Sequence, residues 1–249
     1  MKNSAGYSTI IADQAIPYST ESNFSFPPLS CHIQPSKLTC LVGPHRSQLR
    51  AYLQMLAGIL KPGRGTVTVL GQELSELDQL AWRKFRCQIG YFSGSSSLLP
   101  TQHGLMNVML PILYHLDLSF REAADKARAL LVELDCHFEP TTLPSLLNSF
   151  QRAQIALARA LILDPSVLIL DVPFNDLGAK EREKMGVLLG EFKENRIVCM
   201  IGGLQYPNFL EQHANQIIFI SEHKIMNFNG WRSFMQSEDS DVQELLSVL

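Results

Sequence analysis

The chain has 249 residues, of which 46% are apolar and 18% charged, with a formal net charge of −3. That length buries a sizeable core as one large domain or two lobes, and the composition is globular with no mark of disorder. The slight negative charge gives no reason to propose nucleic acid as a partner, no apolar run approaches the ~20 residues of a membrane span, and the start Met-Lys-Asn-Ser-Ala-Gly lacks the basic and then apolar pattern of a signal peptide.

Ser8–Ala12 and Leu29–Ile33 read as strands, and Leu38–Val42 (LTCLV) as a third, continuously apolar like a strand buried on both faces. It ends at Gly43-Pro44. A helical pattern follows, with Leu49, Leu53, Leu56 and Ala57 in register and Gly58 as its stop. Lys61–Gly65 (KPGRG) reads as a turn and Thr66–Leu70 as a β-rich run. Residues 78–86 read as helix, Cys87–Phe92 as strand, and the polar Ser93–Ser97 as a loop.

From Leu98 to about Leu161 no stretch has strand character. Arg121–Asp135 is an amphipathic helix with Ala123, Ala127, Leu130, Leu131 and Leu134 on one face. Strand character returns at Val167–Leu170. A helix over Ala179–Lys193, strands over Ile197–Ile201 and Gln216–Ile220, and a terminal helix over Asp241–Leu249 complete the chain. Four of the five cysteines (Cys31, Cys40, Cys87 and Cys199, but not Cys136) fall in runs that read as strands, and none forms a CxxC pair. They read as reduced cytosolic thiols, not as a disulfide framework or a metal site. Apolar strands alternate with helices at both ends of the chain, with a helical block between. That order predicts an α/β sheet domain with an inserted helical subdomain.

Leu147–Leu170 (LNSFQRAQIALARALILDPSVLIL) followed by Asp171-Val172-Pro173-Phe174 resembles the signature and Walker B region of the ATP-binding-cassette (ABC) ATPases. In that family the pattern is LSGGQ, then QRVAIARAL, a short spacer, and an apolar strand ending in Asp-Glu-Pro. Leu41–Arg50 (LVGPHRSQLR), Cys87–Pro100 and Ile197–Leu204 then fall in register with the family's phosphate loop, Q-loop and switch strand. The resemblance covers nearly the whole chain. It implies a P-loop NTPase (RecA-like) ABC nucleotide-binding-domain fold with an N-terminal β subdomain and an inserted α-helical subdomain. Within the single domain 1–249, residues 1–93 and 162–249 form the α/β core lobe and 94–161 the helical subdomain.

The same register shows what is missing. A P-loop reads G-x-x-x-x-G-K-[ST]: its glycines let backbone N–H groups curl round phosphates, its Lys neutralises them, and its hydroxyl binds Mg²⁺. Here the stretch is Gly43-Pro44-His45-Arg46-Ser47-Gln48-Leu49-Arg50, and no Gly-Lys dipeptide occurs anywhere in the chain. Gln48 stands at the second glycine and is expected to resist a left-handed backbone. Leu49 stands at the lysine and Arg50 at the hydroxyl. Arg46 and Arg50 read as solvated arginines at a helix start. Asp171 keeps the Mg²⁺ carboxylate position but, lacking metal partners, reads as a satisfied strand-end carboxylate.

Val172 stands at the catalytic glutamate and cannot accept a proton. Gly203 stands at the switch histidine, Gly94 at the Q-loop glutamine and Gly178 at the D-loop aspartate. In the signature loop Asn148, Ser149 and Phe150 replace Ser-Gly-Gly and Gln151 remains. Asn148 and Ser149 retain hydrogen-bonding groups, while Phe150 is expected to obstruct the head-to-tail sandwich of two subunits. Tyr18 lies at the distance before the loop of the family's adenine-stacking aromatic, and an N-terminal tyrosine in a partly buried β segment is the plainer reading.

The resemblance therefore implies a catalytically degenerate cassette, with no catalytic residues, that binds ATP and Mg²⁺ weakly or not at all. It implies a structural or regulatory subunit of an ABC transport complex, cytoplasmic and peripheral on the inner face of the membrane. Its partners would be a membrane permease subunit and a second ABC-type subunit. Leu98-Leu99-Pro100 with Asn107-Val108 and Pro111, and the tail from Lys224 to Leu246, resemble lipid- and lipoprotein-transport ATPases. The apolar side chains of residues 98–120 fit a permease contact or an ordinary core. Two alternatives stay open: a cassette with residual ATP binding or hydrolysis through a partner subunit, and a stand-alone interaction module.

Overall fold

The computed structural model describes residues 9–18, 25–94, 97–202, 204 and 206–247. From the N-terminus come β1 (Ile10–Pro17), β2 (Leu29–Ile33), β3 (Leu38–Val42), α1 (Arg46–Leu56), β4 (Pro62–Val69), β5 (Gln72–Glu73), α2 (Gln79–Arg86) and β6 (Ile89–Phe92). Three helices follow: α3 (Gly104–His115), α4 (Phe120–Glu133) and α5 (Ser149–Leu161). The chain then runs through β7 (Val167–Asp171), α6 (Ala179–Glu191), β8 (Ile197–Ile201), α7 (Pro207–His213), β9 (Ala214–Ile220), β10 (Ile225–Phe228), α8 (Trp231–Met235) and α9 (Ser240–Leu246).

These strands make two sheets, one ordered β2-β1-β4-β5 and antiparallel, the other ordered β10-β9-β3-β8-β7-β6. In the second, all neighbours are parallel except the edge hairpin β9–β10. Its central strands β3, β7 and β8 are buried along their whole length, as expected of a parallel sheet covered on both faces. Side chains alternate across it. Cys40, Val42, Leu168, Leu170, Val198 and Met200 join one core with α3, α4 and α5. Leu41, Val167, Ile169, Ile197, Cys199 and Ile201 join the other, with α1 and the antiparallel sheet. The carboxyl ends of β3, β7 and β8 therefore lie side by side, where open α/β sheets place ligand sites.

The helices begin where their caps dictate. Asp78 accepts from the Ala81 N–H at 2.8 Å to start α2. Ser119 and Glu122 form a reciprocal capping box on α4. Pro111 lies inside α3, which did not stand out in the sequence as a bounded helix because its apolar residues run almost all round it. The short α7, α8 and β10 are too brief to carry a periodic signal in the sequence.

One predicted turn is overturned. Pro62–Gly65 of the KPGRG segment is extended and belongs to β4, paired with β1 through irregular register between Asp13 and Pro17. Gly65 sits there with φ +68°, and a Cβ would stand 2.2 Å from the Gln14 carbonyl oxygen. The glycine marks a strand irregularity instead of a chain reversal. The strand predicted from Cys87 begins two residues later, because Cys87 still caps α2, its N–H donating to the Lys84 carbonyl and the Gln88 N–H to that of Phe85.

Candidate functional site

The site is built at the carboxyl end of β3, where three residues, Gly43-Pro44-His45, lead directly into α1. Gly43 is required by packing: a Cβ there would stand 2.0 Å from the Ile220 carbonyl oxygen of β9. His45 is the helix N-cap residue, and its side chain makes no capping bond. It pairs with Glu222 at 3.3 Å.

Arg46 and Ser47 are exposed on the first turn, while Gln48 and Leu49 are buried. The Gln48 backbone is part of α1 and is absent from the positive-φ positions, so it does not take the left-handed conformation. Its amide donates to the Ser25 carbonyl at 2.7 Å and the Ser221 carbonyl at 3.2 Å, and its Oε1 is buried without a protein partner. Leu49 is 5% exposed and joins the core that α1 shares with β3.

Arg50 also departs from expectation. It is no solvated arginine: its Nε donates to Asp171 Oδ2 at 2.6 Å and its Nη2 to Oδ1 at 3.1 Å. This is a two-bond guanidinium–carboxylate fork, the strongest ion-pair geometry available to side chains. It joins α1 to the end of β7. The pair is lopsided in burial, with the Arg50 side chain 43% exposed and that of Asp171 4%. The hydrogen bond to Asp171 raises the guanidinium above its already high value. Both Asp171 oxygens are thus bonded at the strand end, by Arg50. Tyr91 Oη lies 3.5 Å from Asp171 Oδ2. Burial, and then the Asp171 charge, push the phenol up to about 12.

Val172, next in the chain, has φ +51°, the left-handed region where a β-branched residue is a true outlier. Its N–H donates to the Ile201 carbonyl at 3.1 Å. Gly202, at φ +73°, lies opposite, and a Cβ there would come within 2.7 Å of Val172 Cγ1. Between α1 and this turn opens a cavity of about 150 Å³ lined by Gly43, Arg46, Leu49, Val172, Phe174 and Tyr206, among others. Its walls are mainly apolar at the point where Leu49 and Val172 meet it. Gly203, expected at the switch position, lies outside the described residues.

The remaining sites follow the chain. Gly94 has φ +68° with open space around its Cα. Asn148 caps α5, accepting from the Gln151 N–H at 2.9 Å, and Gln151 Oε1 accepts from the Asn148 N–H at 3.1 Å. Ser149 Oγ accepts from Arg152 at 3.1 Å. Phe150 is half-buried, packs against the core, and has Lys184 Nζ 5.9 Å from its ring centroid. Gly178 begins α6, its N–H bonded to Glu181 at 2.9 Å. Tyr18 is 59% exposed, directly after the partly buried β1, and its N–H meets the Lys61 carbonyl at 2.9 Å. The structure thus brings Gly43, Gln48, Leu49, Arg50, Asp171 and Val172 together. The signature residues sit apart on α5, the helix that packs against α3 and β6.

The ABC transporter family model matches residues 26–175. The chain belongs to the ABC transporter family. It is 35% identical over 157 residues to the uncharacterized ABC transporter ATP-binding protein YbbA of Escherichia coli K12, covering 63% of this chain and 68% of that one. It is 28% identical over 196 residues to the lipoprotein-releasing system ATP-binding protein LolD of Acinetobacter baylyi, covering 78% and 85%. Its fold matches the dimeric structure of MJ0796, a bacterial ABC transporter cassette, with TM-score 0.77 and 22% identity over 89% of this chain and all of the other. Cassettes of this family bind ATP and Mg²⁺, dimerise and work with membrane permeases. Among the described residues no helix is long and apolar enough to cross a membrane.

The Arg50–Asp171 fork escaped the sequence reading. The two residues are 121 positions apart, and charge or periodicity gives no hint of their meeting. The family register carried the signal, since the phosphate-loop hydroxyl and the Walker B aspartate hold the same metal ion. A cation at the first position and an anion at the second are the sequence signal for this pair.

Proposed function

We propose that this chain is a catalytically degenerate ABC cassette, serving as a structural or regulatory subunit of a transport complex without splitting ATP itself. The observation that carries the reading is the Arg50–Asp171 fork. In a P-loop NTPase the corresponding hydroxyl and carboxylate face a shared Mg²⁺, and here they are committed to each other.

The residues present do not fit Mg-ATP. Only Gly43-Pro44-His45 separate β3 from α1, and Pro44 has no N–H to offer an anion. Leu49 offers no charge to phosphate and is buried in the core. Val172 has no group that orients or deprotonates water. The Asn148 and Gln151 side chains are used in capping α5. Loss at one position is compatible with a specialised ATPase. Loss at Gln48, Leu49, Val172 and Asn148 together, with the fold intact, supports a cassette retained for its shape.

The lipoprotein-release name of the LolD relative supports placing the complex in that branch, with a permease and a second ABC-type subunit as partners. Titration with Mg-ATP by calorimetry, beside a thermal-shift curve, tests the reading, because a ligand that prefers the folded state raises the melting temperature by mass action. The expected result is no heat and no shift at millimolar ATP. Micromolar binding by the isolated chain overturns it.

A further inference from the structure

We propose that Arg50 is a tethered replacement for the divalent cation, and that removing it uncovers a hard-cation site at Asp171. The inference rests on the reading of a nucleotide-independent cassette and adds a role for one residue. A carboxylate 4% exposed at a strand end needs a counter-charge, because an isolated buried anion is strongly disfavoured. Arg50 supplies it with two hydrogen bonds, 2.6 and 3.1 Å long, one to each carboxylate oxygen. Both oxygens are therefore engaged, and the positive charge stands where an incoming cation would be repelled.

The guanidinium also differs from an ion in being bonded to the chain. An exchangeable metal joins the phosphate loop to β7 only while nucleotide is bound, and such contacts are released when the phosphate leaves. Arg50 joins α1 to β7 through the protein's own covalent structure, so the link does not depend on a ligand. The consequence is a cassette whose α1–β7 geometry is set once, on folding. Tyr91, with its Oη 3.5 Å from Asp171 Oδ2, provides a reporter inside the site. A hard cation such as Tb³⁺ takes oxygen ligands, and on Asp171 it would lie close enough to the phenol ring to be excited through it.

The test uses Tb³⁺ and the full chain, without nucleotide, with emission excited through tyrosine. Wild type, Arg50→Ser, Asp171→Asn and the double variant R50S/D171N are compared. The expected result is extra emission in R50S that wild type and the double variant lack. Emission from wild type that D171N abolishes would show that Arg50 does not hold the carboxylate and would overturn the proposal, as would R50S emission no greater than that of R50S/D171N. Should R50S be insoluble, recovery of soluble protein in R50S/D171N supports the proposal, since removing the anion then removes the need for the cation. Failure of the double variant to recover overturns it. These outcomes are separate from the ATP titration: Mg-ATP binding by wild type defeats the degenerate-cassette reading, whereas wild-type Tb³⁺ binding at Asp171 defeats only the tethered cation.

Discussion

Replacing Arg50 with Met keeps most of the apolar stem and deletes the guanidinium. Asp171 would remain as a buried carboxylate, with Tyr91 Oη 3.5 Å away. Breaking a buried pair from one side costs about 3–5 kcal/mol. Because the Arg50 half is 43% exposed, solvent screens part of that, and about 2–3 kcal/mol is the expected loss. Asp171→Asn is the milder change, because the half-exposed guanidinium keeps water as a partner, and about 1 kcal/mol is expected. The double variant should lose less than the sum of the two, with a coupling of about 1–2 kcal/mol. At about 2–4 °C per kcal/mol for a chain of this size, R50M should melt about 5–10 °C below wild type. Urea and thermal unfolding of the four proteins, followed by circular dichroism, measure all of these quantities. A coupling below about 0.5 kcal/mol would place the fork among ordinary surface ion pairs and refute the argument. So would an Asp171→Asn variant less stable than R50M, because the ordering follows from the difference in burial.

Gly43→Ala should lose soluble expression or at least about 3 kcal/mol of stability, since its methyl would meet the Ile220 carbonyl and both strands would have to move. Gln48→Ala should cost about 2–3 kcal/mol in denaturant unfolding, through two lost hydrogen bonds and the space left by a fully buried side chain. Val172→Glu, which restores a general base where the family has one, should leave phosphate release at background, because Leu49 and the Arg50–Asp171 pair are unchanged. Burial pushes the Cys31 and Cys40 thiols up to about 12, and raises Cys199 well above the ordinary thiol value. The folded state then holds protons that the unfolded chain releases, so this stability is full below pH 9 and should fall as pH rises from 9 toward 12. An alkaline unfolding series checks the direction.

The fold was legible because its signals are local and repeated. Continuous apolar runs such as Leu38–Val42 and Val167–Leu170 mark strands buried on both faces, and the Ala123–Leu134 face marks α4. The KPGRG turn was misread because proline and glycine mark strand irregularities as readily as reversals. Only the pairing of β4 with β1 distinguishes the two. At the site, chemical identities were legible and relationships were not. Leu49 and Val172 are apolar wherever they sit, and that needs no structure. Whether Gln48 is strained, or whether Arg50 is solvated, depends on where α1 begins and what stands at the end of β7. That information is spread over 121 positions of chain.

The substitutions at the site are connected through what each residue now touches. Gln48 bridges the Ser25 and Ser221 carbonyls, Arg50 holds Asp171, and Asn148 and Gln151 cap α5. Each of these residues makes hydrogen bonds within the chain, though Gln48 Oε1 accepts none, and Leu49 is part of the core. If the degenerate-cassette reading is right, nucleotide would have to break several of these contacts before engaging any one position. The gain from a new phosphate contact would be offset by the cost of leaving Asp171 or the Ser25 carbonyl unpaired. Restoring a single family residue should therefore restore little. The positions are coupled through shared partners, and effects on such groups are far from additive. Only simultaneous reversion of the loop at Gln48, Leu49 and Arg50, together with Val172, would reopen the carboxylate, the charge and the base at once.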